Sequence, residues 1–416
     1  MRVKLLTAMK LVMQTPESEN YAALSSSSQH LCATPIPAVV VGSDLNGLGV
    51  LRSLAAGRVL TYLVGTPDGI AMYSRHGYKH RVENTAGEQL LKALHAIRRK
   101  FPCRPVLFLT EEKSIQTVSE RREEILPYYR IHLLAPDRLA ALMDKTTFQA
   151  LAQAHGGRIP KAISISAEDD LLRLDEVDYP CVLKPAYKHY GYGAQFQKAY
   201  VVNSRDEAAR RWREISPVMP DLILQEWIEG NDSDIYFCLQ YVGENGDPVV
   251  SFVGRKLRSW PPRIGGTASC IAAPQFEREL TAATTGFFRS VGFVGMGSME
   301  FKRNVHNGEF YIVEPTVSRT DFQEEVATVN GVNIPLAAYC HEVGAPIPVI
   351  NHASPPRLWR EPVTDRWARE CSTGTPPEIG IPHKSCNAYF RMDDPAPWLK
   401  LMRERIFARL KHLLRR

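Results

Sequence analysis

The 416-residue sequence has no stretch approaching the roughly eighteen consecutive apolar residues that a membrane-spanning helix requires. Its opening "MRVKLLTAMKLVM" is broken by Lys10 and leads to no small-residue cleavage site, so a secretory signal is not expected and the protein is read as cytoplasmic. None of the eight cysteines (32, 103, 181, 238, 270, 340, 371 and 386) falls in a CxxC pair, which speaks against a structural zinc site and a disulfide framework. There is no GxxxxGK[ST], no HRD or DFG set and no GxSxG, so P-loop, protein-kinase and serine-hydrolase chemistry have no footing. Nor is there an internal repeat of solenoid period. The net charge of +6 is thinly spread, and nucleic acid is not indicated as a partner.

What is present is a 44% hydrophobic chain, long enough for two or three domains with a sizeable core. Residues 1–34, with "PESENYAALSSSSQH", have little to bury and are expected to form a poorly ordered extension. From Pro35, "PAVVVGSDLNGLGVLRSLA" reads as a strand, a glycine turn and a helix. The strand patterns "VLTYLVG", "PVLFLT" and "RIHLLA" follow, which together predict a parallel, doubly wound α/β domain over 35–135. Residues 136–219 mix helices and strands, with capping boxes at Ser166/Asp169 and Ser204/Glu207. Residues 220–345 are strand-rich ("LILQEWI", "DIYFCLQYVG", "PVVSFVGRKL", "MGSMEFKR", "EFYIVEPT") with Asn-Gly turns, which predicts an α+β unit whose largely antiparallel sheet carries helices on one side. The remaining 346–416 read as a proline-dense appendage that returns to helix only at "KLMRERIFARLKHLLRR". Its alternating basic and apolar residues either dock on the body or meet a partner or a membrane surface.

The chemistry gathers around one lysine. In "YPCVLKPAYKHYGYG", residues 179–193, a buried-strand pattern runs straight into Lys184, Pro185 and a loop of tyrosines and glycines. Taken alone, Lys184 reads as a solvated lysine at a strand end. Its companions suggest more. Lys145 in "MDKTTFQALAQAHGG" follows an N-cap at Asp144, in a helix that Gly156 and Gly157 close. "LQEWIEGND" breaks at Gly230 and presents Glu226, Glu229 and Asp232, while Glu300 in "GSMEFK" and Glu314 in "YIVEPT" lie on strands joined by the hairpin "RNVHNGE". Two lysines followed by two hairpin-linked carboxylates suit a nucleoside triphosphate: ammonium groups neutralise phosphate oxygens, carboxylates hold a hard cation, and a Gly/Tyr loop closes over both.

In this order and spacing, residues 135–345 resemble the ATP-grasp superfamily, of the stand-alone carboxylate-amine ligase type, and "VVVGSDLNGLGVLRSL" resembles the domain that precedes the grasp. The resemblance implies two α+β lobes, 136–219 and 220–345, closing on ATP. It matches Lys145 and Lys184 to the two nucleotide lysines, and Gly191 and Gly193 to the phosphate lid. Gln225, Glu226, Trp227 and Ile228 match the adenine hinge, Asp232 the ribose contact, and Glu300 and Glu314 the carboxylates for Mg2+, with Mn2+ as an alternative ion. Two positions depart from the pattern: Thr316 stands where a metal-binding asparagine is usual, and the usual arginine is displaced to Arg319.

The implied activity is ATP-dependent joining of a small-molecule acid to an amine through an acyl phosphate, with release of ADP and phosphate and no protein nucleophile. Amino acids or small peptide-like molecules are the expected substrates, and a homodimer is the implied assembly. Of Arg255 and Lys256 in "GRKLRSWPPRIGGTAS", strand alternation lets only one face the cleft, and Arg255 is expected there. Arg319 is the candidate for holding the acyl phosphate or the substrate carboxylate, with Lys184 acting on the transferred phosphoryl group, and His189 is read as a lid residue. An ATP-binding regulatory or scaffold protein, or a small-molecule kinase, would keep this fold without the ligation. Gly42, Gly47 and Gly49 do not form GxGxxG and no acid follows Val64-Gly65, which leaves a nicotinamide oxidoreductase as a distant alternative.

Overall fold

The computed structural model describes residues 35–187, 190–319, 321, 324–371 and 384–413. The extension 1–34 and the lid residues Lys188 and His189 lie outside them. Strands β1 (Ala38–Val41), β2 (Thr61–Gly65), β3 (Tyr78–Arg81) and β4 (Val106–Leu109) form a parallel sheet in the order β3-β2-β1-β4. Every residue of β1 and β4 is buried, as a parallel sheet covered on both faces demands. At the end of β1, Gly42 takes φ +111°, and a Cβ on Gly47 would lie 2.0 Å from the Gly42 carbonyl oxygen. These glycines let the helix Leu45–Ala56 press onto the turn, so packing accounts for them without a dinucleotide.

The segment "RIHLLA" is not a strand. Apart from one bridge between Arg130 and Val106 it is irregular, because the side chains of Tyr241, Glu342 and Glu244 hold His132, while Leu133 and Leu134 are buried as core. The sheet gains β3 in its place. Its sequence, "YKHR", has no apolar alternation to betray it.

Strands β5 (Ala162–Ile165), β6 (Cys181–Pro185), β7 (Tyr200–Val202) and β8 (Leu222–Glu226) form an antiparallel sheet in the order β5-β8-β6-β7. The helix Arg205–Ile215 packs Trp212 and Ile215 against Leu183 and Leu224. Its cap is Ser204, whose hydroxyl accepts from the Glu207 amide at 3.3 Å. The other box sits one residue later than expected: Asp170, not Asp169, accepts from the Ser166 and Ala167 amides at 2.8 and 3.0 Å, and a 3-10 helix follows. β8 belongs to this sheet, so the strand-rich stretch after Pro220 first completes the preceding unit.

The third sheet contains β9 (Ile235–Val242), β10 (Pro248–Trp260), β11 (Gly266–Ala272), β12 (Gly295–Arg303), β13 (Phe310–Val317), β14 (Leu358–Arg360) and β15 (Ser385–Asn387). Their order is β13-β12-β9-β10-β11-β14-β15, antiparallel except for β14 with β15. Helices cover both faces, not one. Tyr236, Cys238 and Val253 share a core with Phe287 and Phe288 of the helix Glu277–Ser290, whereas Phe237, Leu239 and Phe252 share another with Ala337 and Ala338 of the helix Ile334–Val343 and with Val40 and Phe108 of the first sheet. The stretch after 345 is therefore no detached appendage: it supplies two strands to this sheet and a buried anchor to the first domain, described below.

Candidate functional site

Charged side chains of the second sheet and of the third lie close enough to shift one another's ionisation. Lys184 is the fourth residue of β6. Lys145 begins the helix Lys145–Ala154, whose cap is the Asp144 carboxylate accepting from the Thr147 amide at 2.8 Å. The Lys145 amide itself donates to the Ala186 carbonyl at 3.0 Å, which fastens the start of this helix beside the end of β6. Two lysines distant in sequence thereby share one wall. On the opposite wall Glu300 of β12 and Glu314 of β13 are directly cross-strand partners.

The charges on the two walls sense each other. Burial lowers the Lys184 pKa to about 8; Glu314 and Glu300 oppose that shift, and Lys145 and Lys198 add to it. Burial would raise the Glu314 carboxyl, but Lys198, Lys145, Lys184 and Lys256 together hold it at about 2. Glu314 is also the largest influence on Lys198, raising its pKa. Lys145, Lys184, Glu300 and Glu314 are half-buried, while Lys198 is exposed.

Hydrogen bonds fix the first wall further. The Lys184 ammonium donates to Gln225 Oε1 at 2.8 Å, Gln225 Nε2 to Gln149 Oε1 at 3.1 Å, and Gln149 Nε2 to the Pro160 carbonyl at 2.7 Å. On the second wall Lys256 is buried and pairs with Glu300 at 2.6 Å. Arg319 bonds Asp321, which accepts from Thr316 Oγ1 at 3.4 Å; burial would lower the Arg319 pKa, but Asp321, Glu112 and Glu314 hold it above the usual arginine value.

No family model matches the chain. Carbamoyl phosphate synthase large chain from Ralstonia nicotianae is 29% identical over 204 residues, 44% of this chain and 17% of that one. The corresponding N-terminal section from Aquifex aeolicus is 26% identical over 200 residues, 44% of this chain and 34% of that one. The chain thus spans about a sixth of the length of the large chains it matches. Among solved structures, N5-carboxyaminoimidazole ribonucleotide synthetase in complex with ADP superposes with a TM-score of 0.60 at 13% identity, covering 76% of this chain and 80% of that one. Biotin carboxylase from Campylobacter jejuni gives a TM-score of 0.57 at 14% identity, covering 75% and 72%. The chain has the ATP-grasp fold.

Within the ATP-grasp frame, Lys145, Lys184, Glu300, Glu314 and Arg319 come together. Arg255 does not join them: it lies on the other face of β10 and hydrogen-bonds Tyr236, while Lys256 takes the cleft-facing position. The physical reason is that Gly254 and Lys256 share the face on which Glu300 lies, and alternation then turns Arg255 toward the face covered by the helix Glu277–Ser290. Gln225 is committed to Lys184 and Gln149 rather than open toward a base. Asp232 accepts from the Ser259 and Arg263 amides, both at 2.9 Å, and so secures the β10–β11 hairpin instead of standing free for a ribose.

The amides of Glu226 and Trp227 are committed to the Lys161 and Pro180 carbonyls. Trp227 is flanked by the Arg263 guanidinium 4.7 Å and the Lys302 ammonium 5.9 Å from its ring, and its buried indole N–H has no partner among the described residues. Ile228 is half-buried beside it. Gly191 and Gly193 fall in a short helix, Tyr190–Gln195, where a Cβ on Gly193 would meet open space.

Sequence reasoning missed Lys198, Lys302 and Gln149, and of the pair Arg255 and Lys256 it chose the other member. Lys302 donates to the Asn231 carbonyl at 2.6 Å, and burial lowers its pKa to about 8 against the pull of Asp234, Asp232 and Glu300. The available signal was positional: Lys198 closes the lid segment, and Lys302 is two residues after Glu300 on the same strand face. Among the described residues no group of three or more His, Cys, Asp or Glu is arranged to hold a metal alone. Two facing carboxylates, Glu300 and Glu314, are nonetheless a donor set that fits a magnesium ion sharing its remaining positions with other oxygens.

Proposed function

We propose that the protein is an ATP-dependent ligase that joins a carboxylate to an amine through an acyl phosphate. One observation carries this reading: lysines from one lobe converge on Glu314 of the other, cross-strand from Glu300, in an ATP-grasp frame. Lys145 and Lys184 would take phosphate oxygens, Lys198 and the Gly191/Gly193 segment would close over them, and Gln225 acts by orienting Lys184. The hinge Glu226–Ile228 would take adenine, with the unpartnered Trp227 indole available as a donor. Glu300 and Glu314 would hold magnesium, which when bound neutralises β- and γ-phosphate oxygens.

The acid's oxygen attacks the γ-phosphorus, the bond to the β-phosphate oxygen breaks, and ADP leaves. The amine nitrogen then attacks the acyl carbon, losing a proton as phosphate departs. Arg319 is the group for the acyl phosphate or the acid's carboxylate. Lys256, paired with Glu300, replaces Arg255 as the cationic group of β10 nearest this chemistry.

A second reading of the acid is bicarbonate, favoured by the 2-oxoglutarate carboxylase domain in complex with MgADP, ADP and bicarbonate (TM-score 0.55, 15% identity). The test is phosphate and ADP release with pairs drawn from amino acids, other small acids, bicarbonate and amines, repeated with Lys184→Ala. Release only when acid and amine are both present supports the ligase. Release with one acceptor and a phosphorylated product would make it a kinase, and nucleotide binding without release a regulatory protein.

A further inference from the structure

The helix Ala396–Leu413 begins on the protein, and most of its described side chains beyond Glu404 are exposed. Just before it, Asp394 is buried and accepts from Arg52 Nε at 3.0 Å, Ser74 Oγ at 2.8 Å and the Arg75 amide at 2.9 Å. The first turns rest on the 3-10 helix Ile70–Tyr73, with Lys400 buried, its ammonium 5.3 Å from the centre of the Tyr73 ring and paired with Glu404. Beyond Glu404 every described side chain except the half-buried Arg405 is exposed. Ile406 and Phe407 are each 58% exposed, Leu410 47%, and Leu399, about two turns before Ile406, 56%.

These exposures are not scattered. At about 3.6 residues per turn, Leu399, Ile406 and Leu410 fall within about 40° of one another and Phe407 flanks them, so they form one apolar stripe, with Arg403 set between Leu410 and Phe407 and Lys411 at its edge. Met392, 88% exposed, lies in the turn that leads into the helix. Arg403 and Lys411 are exposed and Arg405 partly so, while the helix's one acid, Glu404, is spent on Lys400.

We propose that this helix is a docking surface for an anionic lipid bilayer, lying in the interface with its apolar stripe inward, the Arg403 stem running along that stripe to bring its guanidinium up to the headgroups and Lys411 among them at the edge. A bilayer meets both features at once: apolar side chains enter the acyl boundary while uncompensated cations meet anionic lipid. A second copy of the chain would satisfy the stripe but bring the uncompensated cations of two helices into one interface. The helix does not cross the membrane, since no helix among the described residues is long and apolar enough.

The test is co-sedimentation of the full-length protein with phosphatidylcholine vesicles, with and without phosphatidylglycerol, at low and high salt. Binding is expected only with the anionic lipid, weakened by salt. Arg403→Glu with Lys411→Glu should weaken it at least about twentyfold, and Ile406→Ser with Phe407→Ser should abolish it, at unchanged melting temperature. Glu404→Gln, which removes the repelled charge, should tighten it about fivefold, a gain that misfolding cannot mimic. No binding to anionic vesicles, equal binding to neutral ones, or a dimer in analytical ultracentrifugation that Ile406→Ser with Phe407→Ser dissolves would each overturn the proposal.

Discussion

At the scale of the residue, Lys184 carries the most information. Its pKa of about 8 in the folded protein lies below the unfolded value of 10.5, so between these values the unfolded chain binds more protons. Its desolvated charge therefore destabilises the free protein fully below pH 8, a cost relieved as pH rises through 8 to 10.5. Phosphate would restore the proton. We expect nucleotide binding to take up a proton above about pH 8, with affinity falling by up to tenfold per pH unit; titration calorimetry in buffers of different ionisation enthalpy measures both, and Lys184→Met should remove the uptake. A flat pH profile in the parent protein would count against phosphate at this lysine.

The pair Arg255 and Lys256 gives a second expectation. Lys256→Met should strip Glu300 of its partner and lower turnover at least tenfold, whereas Arg255→Met should cost far less in a steady-state assay. The sequence made the lysines at 145 and 184 and the glutamates at 300 and 314 legible because each sits beside a cap, a proline or a hairpin that fixes its place. The choice on β10 was not legible. That strand is apolar on both faces, with Phe252 and Val253 entering different cores, so alternation says that one of the two faces the cleft but not which.

At the scale of the element, the glycine turn, the capped helices and the Asn-Gly hairpins were readable because local chemistry alone demands them. β14, β15 and β3 were not. They are three or four residues long, and tertiary partners define them. The anchor beneath β15 shows what holds such strands: Arg52 of the helix Leu45–Ala56 donates to the Ala388 and Tyr389 carbonyls at 2.8 and 2.7 Å and pairs with buried Asp394. Removing one member of a buried pair strands the other's charge, so Arg52→Ala should cost about 3–5 kcal/mol. Urea unfolding measures it, as a lower midpoint at unchanged slope. A loss under about 1 kcal/mol would mean that Ser74 and the Arg75 amide suffice to solvate Asp394.

At the scale of the molecule, the site is a contact between two bodies. Lys184 and Lys198 belong to the unit built on the β5–β8 sheet, and Glu300 and Glu314 to the seven-stranded sheet. Lys145 begins a helix that is tied to the first of these units by its amide but packs Phe148 and Leu151 into the core beneath the seven-stranded sheet. The attraction of Lys184 and Lys198 for the carboxylates therefore draws the two units together when no nucleotide is present. Triphosphate would exchange these partners: phosphate oxygens take the lysines, and the carboxylates are freed for a cation. Glu314→Gln separates the two halves of that exchange. Without the carboxylate, the lysines repel one another and await an anion, so the variant should bind ADP without metal more tightly than the parent, on the order of tenfold. It should lose the gain that magnesium gives the parent, and amide hydrogen exchange should quicken at the start of the helix Lys145–Ala154. If metal-free ADP instead binds the variant more weakly, Glu314 helps to form the nucleotide site itself instead of competing with phosphate for the lysines, and the two lobes are held by their packing alone.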